Sequence, residues 1–179
     1  MRSSDEDGIK SINRVEVDKR NKDQIETDFL KIKEMLNKGN GKHHKPYIQR
    51  MLHEKENLRK VYLALVKSNP AKIAEIFEIS LLTKPTCYKQ LHDLLSLKLV
   101  NRIFIADIKD GKIIHPEIEN KFENWVKSMP DNLKRYYRAK TSYWEVSEFG
   151  KQFAVKAFEF DQEFREHENK KEKEMNDER

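Results

Sequence analysis

Apolar positions along the chain recur mostly at helical spacing. Ile25, Phe29, Ile32 and Leu36 follow one another at steps of four, three and four, a single stripe of an amphipathic helix over about 21–37. Asn21 or Asp23 is available to cap it, and Asn37-Lys38-Gly39-Asn40-Gly41 ends it with two glycines. Pro46 suits a first helical turn, and Ile48, Met51, Leu52, Leu58, Val61, Tyr62, Leu65 and Val66 keep a helical period as far as Asn69-Pro70. The wholly polar run His53-Glu54-Lys55-Glu56 leaves open whether this is one helix or two. A short helix is predicted over 71–77 with Ile73, Ile76 and Phe77 inward, then a turn over 78–83. Thr83 as cap and Pro85 in the first turn open a further helix, on which Cys87, Leu91, Leu94 and Leu95 share a face through Leu97.

Beyond Leu99-Val100 the pattern changes. Residues 102–108 are rich in β-branched and aromatic types and read as a strand, with Asp110-Gly111 as a hairpin turn before Ile113-Ile114. Residues 116–129 return to helical spacing through Ile118, Phe122, Trp125, Val126 and Met129, bounded by Pro116 and Pro130. Residues 141–146 read as a second strand. Ser147 is a cap for a long terminal helix striped with Phe149, Phe153, Ala157, Phe160 and Phe164. Residues 1–20 lack apolar periodicity and are expected to be a mobile arm.

Composition narrows the class. Of 179 residues, 37% are charged and 37% hydrophobic, which favours a small helical body with long solvated elements over an enzyme with a deep interior. Five glycines and five prolines argue against a loop-rich all-β fold, and one cysteine forbids an internal disulfide and points to a reducing compartment. No apolar run reaches the length of a membrane span, and MRSSDEDGIK has no apolar signal core, so a cytoplasmic protein is expected. Lys and Arg total 36 against 31 acidic residues, net +5. The excess is local: residues 38–60 carry net +5, residues 84–103 net +3 and residues 109–140 net +3, while both ends are near neutral. A basic middle permits nucleic-acid binding.

The order helix, short helix, turn, helix, strand, wing, strand, helix is that of a winged helix-turn-helix. Thr86-Cys87-Tyr88-Lys89-Gln90-Leu91-His92-Asp93-Leu94-Leu95-Ser96-Leu97-Lys98-Leu99-Val100 resembles the recognition helix and exit of MarR-, ArsR- and PadR-like transcriptional regulators. Tyr143-Trp144-Glu145-Val146-Ser147-Glu148-Phe149-Gly150-Lys151-Gln152-Phe153 is similar to their second wing strand running into a helix. Two departures stand out: Lys98 replaces the glycine expected before Leu99-Val100, and the usually short wing runs from about 109 to 140. The resemblance implies a mainly α fold with a small β-hairpin wing (α+β), with extra N- and C-terminal helices. The expected organisation is an arm over 1–20, a helical extension over 21–54, the winged domain over 55–155 and the end of a long helix over 156–179.

A major groove about 12 Å wide admits one helix, which needs an apolar face to dock it and a short polar face for base edges. The expected DNA-binding residues on the helix over 84–97 are Thr83, Lys84, Thr86, Tyr88, Lys89 and Gln90. Gln suits adenine, and Lys suits guanine or a phosphate. In the wing, Lys134, Arg135, Arg138 and Lys140, interleaved with Tyr136 and Tyr137, are candidates for phosphate contact; packing of the tyrosines with merely solvating charges is the alternative. Ile25, Phe29, Ile32 and Leu36 together with Phe153, Phe160 and Phe164 are candidates for a homodimer interface, against packing of the first helix on the last within one chain. Cys87 reads as core. His43, His44 and His53 lack metal-ligand spacing, no phosphate loop is present, and neither metal, cofactor nor catalysis is expected. The reading is a dimeric, sequence-specific binder of double-stranded DNA, a transcriptional regulator acting as a repressor, with any effector ligand unread. The alternatives are a winged-helix protein-interaction or scaffold module and a non-specific architectural nucleic-acid binder.

Overall fold

A computed structural model describes residues 22–38 and 44–177, and the chain divides into two units with the boundary between His44 and Lys45. The first contains α1 (Lys22–Lys38), which carries the Ile25, Phe29, Ile32 and Leu36 stripe. The arm over 1–20, the Asn21 cap, the Gly39-Asn40-Gly41 breaker and His43 lie outside the described residues.

The second unit begins with α2 (Lys45–Glu54) and α3 (Glu56–Ser68), so the polar run around Lys55 separates two helices. Then come α4 (Ile73–Ser80), α5 (Lys84–Ser96) and β1 (Val100–Phe104). Next are α6 (Ile105–Lys109), α7 (Pro116–Val126) and α8 (Asp131–Lys140). The unit ends with β2 (Ser142–Val146), α9 (Glu148–Lys151) and α10 (Ala154–Asp177). Its boundary places 45–54 with the winged body, where the sequence reading grouped them with an N-terminal extension; α2 packs on α3 and α10.

The core forms around α3, whose Leu58, Val61, Tyr62 and Leu65 are fully buried and which packs on α4, α5, α10 and β2. Burying each such side chain contributes roughly 1.5–3 kcal/mol before entropy is counted. β1 and β2 are antiparallel, with Val100 opposite Val146, Arg102 opposite Trp144 and Phe104 opposite Ser142. Ala71 bridges to the far side of β2 through Ala71 N–H to Trp144 O (2.9 Å) and Trp144 N–H to Ala71 O (2.8 Å). A mostly helical chain closed by a two-stranded antiparallel pair is a winged helix.

The wing differs from expectation. Strand β1 stops at Phe104, and 105–109 coil as α6, because the helix turns Ile105 and Ile108 together into a cluster with Ile103, Ile118, Phe122, Val126 and Tyr143. Asp110-Gly111 is therefore not a hairpin turn but the end of α6. Gly111 (φ +74°) donates to Ile108 O and Lys112 N–H to Asp107 O, a local closure that a positive φ permits. The strands are joined by a helical insert rather than a tight loop. His115 pins it to the sheet: Nε2 lies 2.7 Å from Glu145 Oε2, while Nδ1 accepts from Ile118 N–H at the start of α7. Lys72 stands 3.5 Å over the Trp125 ring, and Lys121 Nζ donates to Pro70 O, tying α7 to the entry of α4.

The terminal helix is likewise divided. Ser147 caps α9 by accepting from Gly150 N–H (2.8 Å), and the chain turns over 152–153 before α10 begins. A methyl group on Gly150 would stand 2.0 Å from Leu99 O, so only glycine lets β2's exit pass the exit of α5. Tyr62 OH donates to Gly150 O at 2.6 Å and fixes the same crossing to α3. Burial pushes the Tyr62 hydroxyl well above the ordinary tyrosine range.

Helix α10 docks on α2 and α3 within the chain. Phe153, expected at a subunit interface, is fully buried and packs edge-on to Phe149, so that assignment is corrected: it belongs to the chain's own core. Arg59, 1% exposed, donates Nη1 to Leu52 O and His53 O, capping the end of α2, and pairs with Asp161 at 3.6 Å. Asp161 also accepts from Arg165 at 3.0 Å. Phe164 lies under the Arg59 guanidinium and Phe160 packs edge-on to His53, both keeping part of their surface exposed.

Candidate nucleic-acid interface

Helix α5 is the element that a groove would receive. Its docking face is Cys87, Leu91 and Leu94, all fully buried against α3 and α4. Ser80 Oγ lies 3.3 Å from Cys87 Sγ across the α4–α5 turn, which makes Cys87 a packing residue. Leu95, expected on this face, is 37% exposed, because 87, 91 and 94 complete the seam and 95 rotates past it.

Thr83 takes an extended conformation at the N-cap, and its hydroxyl lies 2.7 Å from that of Thr86 rather than capping the backbone. Thr83, Lys84 and Lys89 are exposed, and Thr86 and Tyr88 are half-exposed. Gln90 departs from expectation. It is 6% exposed, and its Oε1 has no hydrogen-bond partner. The spacing explains this: position 90 is three after Cys87 and four before Leu94, which puts it inside the seam. Gln90 cannot reach a base edge from there, and its assignment as a DNA-reading residue is withdrawn.

Of the wing candidates, Lys134, Arg135, Arg138 and Lys140 all lie on α8. Tyr137 turns inward, 5.0 Å centroid to centroid from Trp125, and packs against the α6–α7 cluster. Arg138 pairs with Glu123 and stacks over Phe122, so its charge is spent inside the insert. Lys134, Arg135 and Lys140 have no ion-pair partner among the described residues, and Tyr136 is exposed. Of the dimer candidates, Ile25, Phe29, Ile32 and Leu36 sit on α1; Phe29 is fully buried within the chain, so its place at a subunit interface is corrected, Ile25 is half-buried, and the side chains of Ile32 and Leu36 lie outside the description.

Beside α5 the structure assembles a group that periodicity did not single out. His92 presents its ring edge-on to Trp144 at 5.8 Å, and the Arg102 guanidinium lies 5.2 Å from the Trp144 ring and 4.7 Å from that of Phe104. Arg102 Nε donates to Ser142 Oγ at 2.9 Å. The signal in the sequence was the alternation Arg102, Phe104 on β1, legible only once their cross-strand partners were known.

Residues 55–107, which hold α3, α4, α5 and β1, match the family model described as sugar-specific transcriptional regulator TrmB. No curated protein and no solved structure matches the chain. The match supports a transcription-regulator winged helix, and with it DNA binding and a regulatory rather than catalytic role, without singling out the MarR-, ArsR- or PadR-like groups. Over those residues, less than a third of the chain, it is similar to the TrmB family of transcriptional regulators.

Proposed function

We propose that the protein is a sequence-specific regulator that binds double-stranded DNA as a homodimer and represses by occupying its site. The observation that carries this reading is the two-sided chemistry of α5. Its leucine seam is buried on α3 and α4, while Thr83, Lys84 and Lys89 stand exposed and Thr86 half-exposed, with no acidic side chain in the first two turns. The N-terminal half of the helix, with Tyr88, supplies base and phosphate contacts; Lys134, Arg135 and Lys140 on α8 add backbone contacts. Dimerisation uses the exposed parts of Phe160 and Phe164 on α10, and two-fold symmetry then requires paired half-sites. The protein works inside the cell, where its DNA is.

Sequencing genomic fragments retained by the purified protein, followed by anisotropy titrations on the recovered site, tests this. A palindromic consensus and a steep salt dependence are expected, and Lys89→Ala should lower affinity on the consensus about tenfold. Binding indifferent to salt, or Lys89→Ala with unchanged affinity and preference, would reject the assignment. A second reading, a protein-interaction module, draws on an open groove of about 840 Å3 between α3, α10 and the end of α4, where Ile79, Leu81 and Phe158 are exposed. In that case no salt-sensitive DNA binding is expected.

A further inference from the structure

Resting on the proposed DNA binding, we infer that Arg102 is a pre-built phosphodiester clamp beside α5, supplied by the strand and not by the wing tip. Residues 100, 102 and 104 of β1 share a sheet face with Ser142, Trp144 and Val146 of β2. His92 identifies that face as the one next to α5, since its ring meets Trp144 there. His92 lies three residues after Lys89 on the exposed side of the helix, so a row Lys89, His92, Arg102 runs from helix to strand.

Among the described residues no carboxylate pairs with His92 or Arg102. Glu145 is on the opposite sheet face, occupied by His115 and Asn101, and Asp93, one turn after Lys89, is buried. Arginine ordinarily loses much rotamer freedom on binding; here the cost is already met by the protein. The guanidinium is held against Phe104 and Trp144, and Nε is anchored on Ser142 Oγ. The four Nη hydrogens have no acceptor among the described residues, and they form the planar fork that phosphate oxygens match. An isolated, rigid, half-exposed fork beside a groove-filling helix has the chemistry of a backbone contact, which positions the duplex without reading sequence.

Anisotropy titrations on a random-sequence duplex over a range of salt concentrations test the clamp separately from sequence reading. Arg102→Ala should bind about tenfold more weakly and make the log–log salt dependence shallower by about 0.9, one phosphate contact. Arg102→Lys should keep the wild-type slope yet lose affinity, because the charge remains while the stacked fork is gone. Ser142→Ala, which leaves the aromatic packing untouched, should lose about threefold with no change of slope. Thermal melts of each variant separate loss of the clamp from loss of fold. Arg102→Ala that stays folded and keeps both wild-type affinity and slope overturns the clamp alone. Wild-type protein with no salt-sensitive binding overturns the clamp and the DNA reading together. Lack of a consensus site with the Arg102 effects intact leaves the clamp standing and removes only sequence specificity.

Discussion

Two residues bracket α5 in left-handed backbone conformation, Leu81 (φ 58°) at its entry and Lys98 (φ 59°) at its exit. At the exit, Lys98 N–H bonds to Leu95 O and Leu99 N–H to Leu94 O, the paired closure that ends helices at a glycine. Lys98 thus departs from the resembling families in residue type while keeping the glycine-like geometry. Both side chains are exposed, so a glycine would relieve the strain and remove no packing. Lys98→Gly and Leu81→Gly should each stabilise by about 0.5–1 kcal/mol, seen as a higher urea midpoint at constant slope. Gln90 gives a second residue-scale expectation. Its buried, unpartnered Oε1 carries a desolvation cost, so Gln90→Met should be neutral or stabilising by about 1 kcal/mol and should leave DNA affinity unchanged. A loss of affinity in that well-folded variant would return Gln90 to the interface.

At the scale of elements, the attachment of α10 turns on a buried charge. Arg59 caps α2 with two bonds to backbone carbonyls and has Asp161 as its counter-charge, while Arg165 holds that carboxylate from the solvent side. Asp161→Asn leaves Arg59 without its anion in the core and should cost about 3 kcal/mol in denaturant unfolding. Arg165→Ala, outside and exposed, should cost less than 1 kcal/mol. Equal losses for the two would mean that Asp161 acts through α10 alone and not through Arg59. The insert shows the same principle in apolar form. Residues 105–109 have strand-like composition but coil, since a helix alone brings Ile105 and Ile108 together onto α7. Intrinsic strand preference is weak against the burial of two isoleucines.

For the whole molecule, burial of the tyrosine hydroxyls links stability to alkaline pH. Tyr143 is pushed up to about 12, first by burial and then by the Glu75 charge, and Tyr62 is displaced in the same direction by burial. The unfolded chain ionises its tyrosines near 10, so their contribution is fully present below that pH and is lost as pH rises toward 12. Circular dichroism against pH should show the folded fraction falling over that window, with Tyr143→Phe flattening the fall. An equally steep fall in the variant would assign the transition to other groups. Local periodicity and composition were enough for the helical period over 46–68, for the apolar face with Cys87, Leu91 and Leu94 (though it also took in Leu95), for a strand over 141–146 and for the basic middle of the chain. Packing alone turned Gln90 and Phe153 inward, paired Arg138 with Glu123, made the wing a helical insert, split 45–68 into two helices and brought Arg102 and His92 together around Trp144. These are contacts between residues far apart in the chain, and periodicity says which side of an element is apolar but not what will stand opposite it.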